Sequence, residues 1–305
     1  MIKKNRFMIL MGLTLLFAGN VWAAPRTLTD QAGRTVVVPQ SPCRVVSLAP
    51  NITEIIYDLG CEDRLKGVTT YSDYPAAAKV LPIVGSYVRL DLEKIVSLKP
   101  DLCIAIKDGN PKETVMRLES LGIPVYAVNP RSLDTIMSSV LAIGELLNAS
   151  DRAGELVKMM RTRIDRVEQR VAAANSRPRV FFQIGVSPIV SAGSDTFIHE
   201  LIEKAGGVNL AGTRTSYPRY SFEEVVVAAP DIIIMTTMER ENAFDEVKNR
   251  WRQWPSVPAV TTGRIFIVDS DIFDRPTPRL IDALETLARM IHPELPWDNL
   301  QKAPH

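Results

Sequence analysis

The chain has 305 residues, with 36 Lys and Arg against 35 Asp and Glu, a formal charge of +1, and 46% hydrophobic residues. Charge this balanced leaves no basic footprint for nucleic acid, and three histidines, none near another or near a cysteine in sequence, give no clustered ligand set for a metal. With no Walker A loop, nucleophile elbow or dinucleotide-binding glycine pattern either, the reading is a binder without a resident cofactor rather than an enzyme.

At the N-terminus, Lys3, Lys4 and Arg6 precede an apolar run over 7–18 and the small-residue sequence Val21-Trp22-Ala23. This is the pattern of an export signal cleaved after Ala23, and the run is too short to span about 30 Å of hydrocarbon. No cysteine follows it closely, so lipid attachment is not expected. Removing 1–23 leaves 33 basic against 35 acidic residues, a formal charge of −2. Of the three cysteines, Cys103 sits in an apolar run and reads as a core thiol. Cys43 and Cys61 do not make a disulfide framework, and a bridge between them is disfavoured.

The apolar run over 44–48 predicts a buried strand. Pro50 ends it, and Asn51-Ile52-Thr53-Glu54 has capping-box spacing with Asn51 as N-cap. Gly60 stops that helix. Further along, helices are expected over 92–98 and 112–121, and strands over 102–106 and 125–128. Alternation of this kind argues for a parallel sheet covered on both faces. Helices over 132–147 and 150–174 follow, the second with Leu156, Met160, Ile164, Val167 and Val171 on one stripe. A rod of that length spans roughly 35 Å and must break backbone hydrogen bonds to bend sharply, so small movements between the parts it joins are expected. Strands at 179–183, 231–235 and 264–268 repeat the earlier plan, and Ser221-Phe222-Glu223-Glu224 again has capping-box spacing.

That plan is an internal repeat. Leu92-Glu93-Lys94-Ile95-Val96 and Pro100-Asp101 reappear 130 positions later as Phe222-Glu223-Glu224-Val225-Val226 and Pro230-Asp231. At an offset of 146, Gly60 matches Gly206 and Tyr71 matches Tyr217. Two similar α/β lobes result, over 24–147 and 177–292, with a linking helix over 148–176 and a tail over 293–305. Two facing lobes make a cleft. Between Tyr71 and Glu93 the first lobe carries 16 residues more than the second has between Tyr217 and Glu223, rich in Tyr and Pro. Tyr71 and Tyr87 in this loop are candidate contacts for a large, partly polar ring system. Asp271, Ile272, Phe273, Asp274 and Arg275, directly after a strand, form a second candidate group. Glu93 and Glu223, matched by the repeat at two helix N-terminal turns, suit docking to a partner with paired basic pockets.

With the opening Leu28-Thr29-Asp30-Gln31-Ala32-Gly33-Arg34, these motifs resemble the periplasmic binding proteins of siderophore, haem and cobalamin uptake, over nearly the whole stretch from Pro25 to His292. Tyr71-Ser72-Asp73-Tyr74-Pro75, and Ser270 to Arg275 with Pro278-Arg279, are most similar to the family's cobalamin-carrying branch. The resemblance implies a class III fold and a periplasmic location. It implies cobalamin or a related corrinoid as transported ligand, with a ferric siderophore or haem as the alternative, and the permease of an ABC importer as partner. A monomer suits the matched pair of docking carboxylates. Carried over by position, Tyr71 and the segment from Asp271 to Arg275 fall where the branch touches its ligand. Tyr87 and Tyr217 stand where it has cleft tryptophans, and Ile184 where it has a phenylalanine. Glu93 and Glu223 fall where the family meets permease arginines. The branch's cysteine pair in the second lobe is missing, with Ala205 at one of the positions.

Overall fold

The computed structural model describes residues 24–236 and 243–297. The expected export signal and the end of the tail lie outside them. An antiparallel hairpin of Arg26–Thr29 and Thr35–Val38 opens the described chain. Its turn is built around the Asp30 carboxylate, which accepts the backbone N–H groups of Ala32 and Arg34 and pairs with the Arg34 guanidinium. The first lobe then forms a four-stranded parallel sheet in the order Leu65–Gly67, Val45–Ser47, Leu102–Ile106, Val125–Val128. The strands at 102–106 and 125–128 have the expected bounds, because both faces of these apolar runs are covered.

The second lobe carries a six-stranded sheet. Arg179–Val186, Ile232–Met235 and Ile265–Ile267 are parallel, and Val208–Asn209 joins Arg179–Val186 in parallel. Ile189–Ser191 and Arg219–Tyr220 extend the sheet antiparallel, an addition the repeat did not foretell. The two lobes are therefore similar but not copies.

The repeated Pro-Asp motif has a structural cause. In the first lobe Asp101 accepts the backbone N–H groups of Cys43 (2.7 Å) and Arg44 (2.9 Å), while the Arg44 guanidinium donates to the Leu98 and Lys99 carbonyls. In the second, Asp231 accepts from the Arg179 N–H at 2.8 Å, and Arg179 donates to the carbonyls of Ala228 and Ala229. Each joint fixes where a strand starts and satisfies orphan carbonyls at the end of a helix.

A helix of 22 residues, Ser150–Val171, links the lobes and spans about 33 Å. It packs on Leu133–Leu146, which is held at its start by a Ser132–Thr135 capping box. Gly144 makes that approach possible, since a Cβ there would collide with Ala153. The buried stripe is Ala153, Val157, Met160, Ile164 and Val167; Leu156 and Val171 of the expected stripe are only partly covered. Farther along, the rod meets the second lobe through Arg163, which pairs with Asp282 (2.6 Å) and Glu285 (2.8 Å). One apolar cluster continues from Val45 through Met160 to Ile234 and Ile291, so packed core and not loop joins the lobes. Cys43, Cys61 and Cys103 are free thiols, the first exposed and the other two buried. Among the described residues no helix is long and apolar enough to cross a membrane.

One expected detail is corrected. The first helix of the first lobe is Pro50–Asp58 with Ala49 as N-cap, so Asn51 lies inside it and caps nothing. Pro50 takes the first helical position without loss, because the N–H it lacks would have had no partner there.

Candidate functional site

A cavity of about 1020 Å³ lies between the lobes. Its walls are segments that follow the carboxyl ends of parallel strands: Ala49 to Asn51, Asp108 and Gly109, and Asn129 to Arg131 from one lobe; Val268 to Asp271 and Asp274 to Pro276 from the other. This is where open α/β sheets place ligand sites.

Three tyrosines line it. Tyr71, 51% exposed, sits in a loop tied down from below by a chain of buried hydroxyls: Thr53 donates to Ser47 (2.8 Å) and lies 3.0 Å from the Ser72 hydroxyl, which also meets Thr69 at 2.9 Å. Tyr87 is held by Asn110, whose amide donates to the carbonyls of Leu48 and Tyr87 and whose oxygen accepts the Ile106 N–H, each at 2.8 Å. Gly109 lies beside the Tyr87 ring, and a Cβ there would come within 3.0 Å of the Ile106 side chain. Opposite, Tyr217 is 53% exposed and follows Ser216, whose φ of 57° and hydrogen bonds to the Asp195 carboxylate turn the chain at that point.

The charged lining is mostly acidic. Asp73, Asp108, Asp195, Asp269, Asp271 and Asp274 face two arginines, Arg131 and Arg275. Both arginines are already paired. Arg131 meets Asp108 at 3.0 Å. Arg275 reaches Asp271 (2.6 Å) within its own lobe, and Asp73 (2.9 Å) and Glu54 (3.1 Å) across the interlobe gap. Glu54, 2% exposed by side chain, also takes Arg279 at 2.8 Å, and the Arg279 guanidinium lies 3.8 Å from the Tyr74 ring centroid. A buried ion cluster thus joins the first lobe's Pro50–Asp58 helix to the second lobe beside the cavity.

Asp274 stands apart. Its two carboxylate oxygens are buried, and the Thr236 hydroxyl is the side-chain donor beside them. Burial, reinforced by Asp271 and Asp269, pushes its carboxyl up to about 7. The Asp271 carboxyl is raised as well, by burial, against the pull of Arg275.

Of the sequence-predicted residues, Tyr71, Tyr87, Tyr217, Asp271, Asp274 and Arg275 meet at this cavity. Ile184, Ile272 and Phe273 do not line it. Phe273, 3% exposed, stacks on Phe182 at 6.3 Å, while Ile184 and Ile272 pack against the core. The expected loop is instead a short helix, Ser270–Phe273, capped by Asp269, which turns its apolar side inward. Glu93 and Glu223 lie in the first turns of Leu92–Ser97 and Phe222–Ala228, exposed and without an ion pair among the described residues. Asn51, Asp108, Arg131 and Asp195 were missed. Asp108 and Arg131 directly follow predicted strands, and that was the signal available for them. Among the described residues no group of three or more His, Cys, Asp and Glu could hold a metal ion.

Comparison with known proteins places this geometry. The family model for periplasmic binding proteins matches residues 45–272. A vitamin B12-binding protein of Vibrio cholerae is 33% identical over 245 residues, covering 79% of this chain and 86% of that protein. The crystal structure of the periplasmic vitamin B12 binding protein of the same organism matches with a TM-score of 0.74 and 32% identity, over 83% of this chain and 98% of that one. A periplasmic haem-binding protein from Pseudomonas aeruginosa matches with a TM-score of 0.76 and 28% identity, over 84% and 94% of the two chains.

Proposed function

Because the chain belongs to the periplasmic binding protein family, we propose that it captures cobalamin or a related corrinoid in the interlobe cleft and delivers it to the permease of an ABC importer. The observation that carries the choice of ligand is the cleft's charge. Six aspartates and two arginines line it, and both arginines are spent on carboxylates. Haem carries two propionates and ferric siderophores are commonly anionic, so either would meet carboxylates with no unpaired cation among the described lining residues to offset them. Cobalamin presents a broad macrocycle edged by neutral primary amides, which suits tyrosine faces and carboxylate acceptors. A cavity of about 1020 Å³ has the scale of a large ligand.

In this reading Tyr71, Tyr87, Tyr217, Asp271, Asp274 and Arg275 contact the ligand, Glu93 and Glu223 dock on the permease, and the protein works as a monomer without turnover. Residues 1–23 are an export signal removed after Ala23, which puts the mature protein in the periplasm with lobes over 24–147 and 177–292. Separate fluorescence titrations with cyanocobalamin and haemin test the ligand assignment. Saturable quenching by cyanocobalamin, with haemin at least about tenfold weaker, is expected from one uncompensated charge pair of about 1.4 kcal/mol. Tighter binding of haemin would reverse the assignment.

A further inference from the structure

The segment that presents Tyr87 to the cavity is lightly built. Gly85–Ser86 and Arg89–Leu90 form a hairpin of two residues a side, with Tyr87 and Val88 at its tip. Two-stranded ribbons are marginal on their own. The base is tied to the lobe: Gly85 accepts the Thr70 N–H, and Val84 donates to the Val68 carbonyl, each at 2.9 Å. At the tip, one hydrogen bond from outside the hairpin is found among the described residues, from the Asn110 amide to the Tyr87 carbonyl at 2.8 Å. Both amide hydrogens of Asn110 are used, on the Leu48 and Tyr87 carbonyls, and its oxygen accepts the Ile106 N–H. These partners dictate which way round the amide sits. Aspartate would lack the two donors, and glutamine would be one methylene too long. Asn110 is not spent on the helix that follows it, since Lys112–Ser120 has Pro111 at its N-cap position and no side-chain cap bond. Leu48 and Ile106 lie at the carboxyl ends of neighbouring strands, so this one side chain fastens the hairpin tip to the sheet.

We propose that Asn110 is the positioning residue for the Tyr87 wall of the cleft, holding that ring, through its backbone carbonyl, where the ligand meets it. This rests on the reading of Tyr87 as a ligand contact and specifies what keeps it in place. Asn110 itself is 8% exposed and does not line the cavity, so its effect on binding passes through the hairpin. Gly109, the residue before it, lies beside the Tyr87 ring, so ring and carbonyl are held by one short segment. A tip fixed in the free protein spares the ligand the cost of ordering it. With the bond removed, the tip populates other positions, and affinity falls in proportion to the fraction that stays competent. The second lobe solves the same problem with a different side chain, Asp195, whose carboxylate holds Ser216 next to Tyr217.

The test compares wild type with Asn110→Ala and Asn110→Ser, each alone and combined with Tyr87→Ala. Serine ends one bond short of the Tyr87 carbonyl yet keeps a polar group near the Ile106 N–H, so it decides the matter if the alanine variant does not fold. Amide hydrogen exchange of the free proteins reads the hairpin directly. Exchange over residues 85–90 should rise about tenfold, as for one lost buried hydrogen bond, while the strand Val125–Val128 keeps its protection. Titration with cyanocobalamin reads the consequence: the dissociation constant should rise by about the same tenfold. In the Tyr87→Ala background the Asn110 substitution should change it by less than about twofold, the non-additivity expected when one residue acts through the other. A merely structural asparagine would weaken binding by the same factor in both backgrounds, and that result overturns the proposal. Unchanged exchange over 85–90 also overturns it, as does a Tyr87→Ala protein that binds like wild type. Failure of wild type to bind cyanocobalamin overturns the corrinoid reading instead, and the exchange measurement still decides whether Asn110 fastens the hairpin.

Discussion

Asp274→Asn should stabilise the ligand-free protein, and the gain should grow with pH. The carboxyl is raised by burial from 3.8 to about 7 in the folded chain. Folding then favours the protonated form, so its contribution is full at low pH and is lost as pH rises from the unfolded value through the folded one. A displacement of about three pH units corresponds to ~4 kcal/mol, of which ~1 kcal/mol is already lost at about pH 4.5. Asparagine has the shape of the protonated acid and does not ionise. The variant should therefore gain on the order of 3 kcal/mol over wild type between about pH 4.5 and about pH 8. Other raised groups, such as Asp58 at about 6, are common to both proteins and cancel in the difference. Urea denaturation of both proteins at the two pH values supplies the measurement. A difference that does not change with pH, or that shrinks as pH rises, refutes the reasoning.

Glu54→Ala should be strongly destabilising, by about 3–5 kcal/mol, because it removes the carboxylate that Arg279 pairs with in a buried setting, while Arg275 keeps Asp73 and Asp271; a thermal melt reads this, and a cost below about 1 kcal/mol would mean that solvent reaches the cluster. Tyr71→Ala with Tyr87→Ala should weaken capture at least tenfold, from about 1.4 kcal/mol of lost ring contact. The melting temperature should barely move, since Tyr71 is exposed and Tyr87 only partly buried; a large fall in melting temperature would make these rings structural. Glu93→Ala with Glu223→Ala should leave the dissociation constant unchanged and depress uptake in cells or vesicles carrying the permease. Loss of capture in that double variant would remove the docking role.

Local rules made part of this molecule readable in advance. The strands at 102–106 and 125–128 are continuous apolar runs covered on both faces, so composition alone bounds them. Ser221 and Glu224 form both bonds of a capping box, and Gly60 adopts the positive φ that ends a helix. Asn51 misled for a physical reason: Pro50 can start a helix, which moves the cap to Ala49 and leaves Asn51 inside the first turn. Phe273 and Ile272 misled because four residues are too few to show whether an apolar pair faces a cleft or a core. The antiparallel strands of the second lobe have no counterpart in the first, so a repeat could not reveal them. The interlobe cluster joins Glu54 to Arg275 and Arg279 across more than 200 residues, a separation at which only the folded chain shows the contact.

The most direct test is retention of a coloured ligand. The purified protein is mixed with excess cyanocobalamin, dialysed exhaustively, and its visible spectrum recorded. One equivalent of corrinoid absorbance per chain, lost together with the cleft tyrosines, is the expected result. A colourless protein after dialysis, or retained colour that is indifferent to Tyr71, Tyr87 and Tyr217, would contradict capture between the lobes.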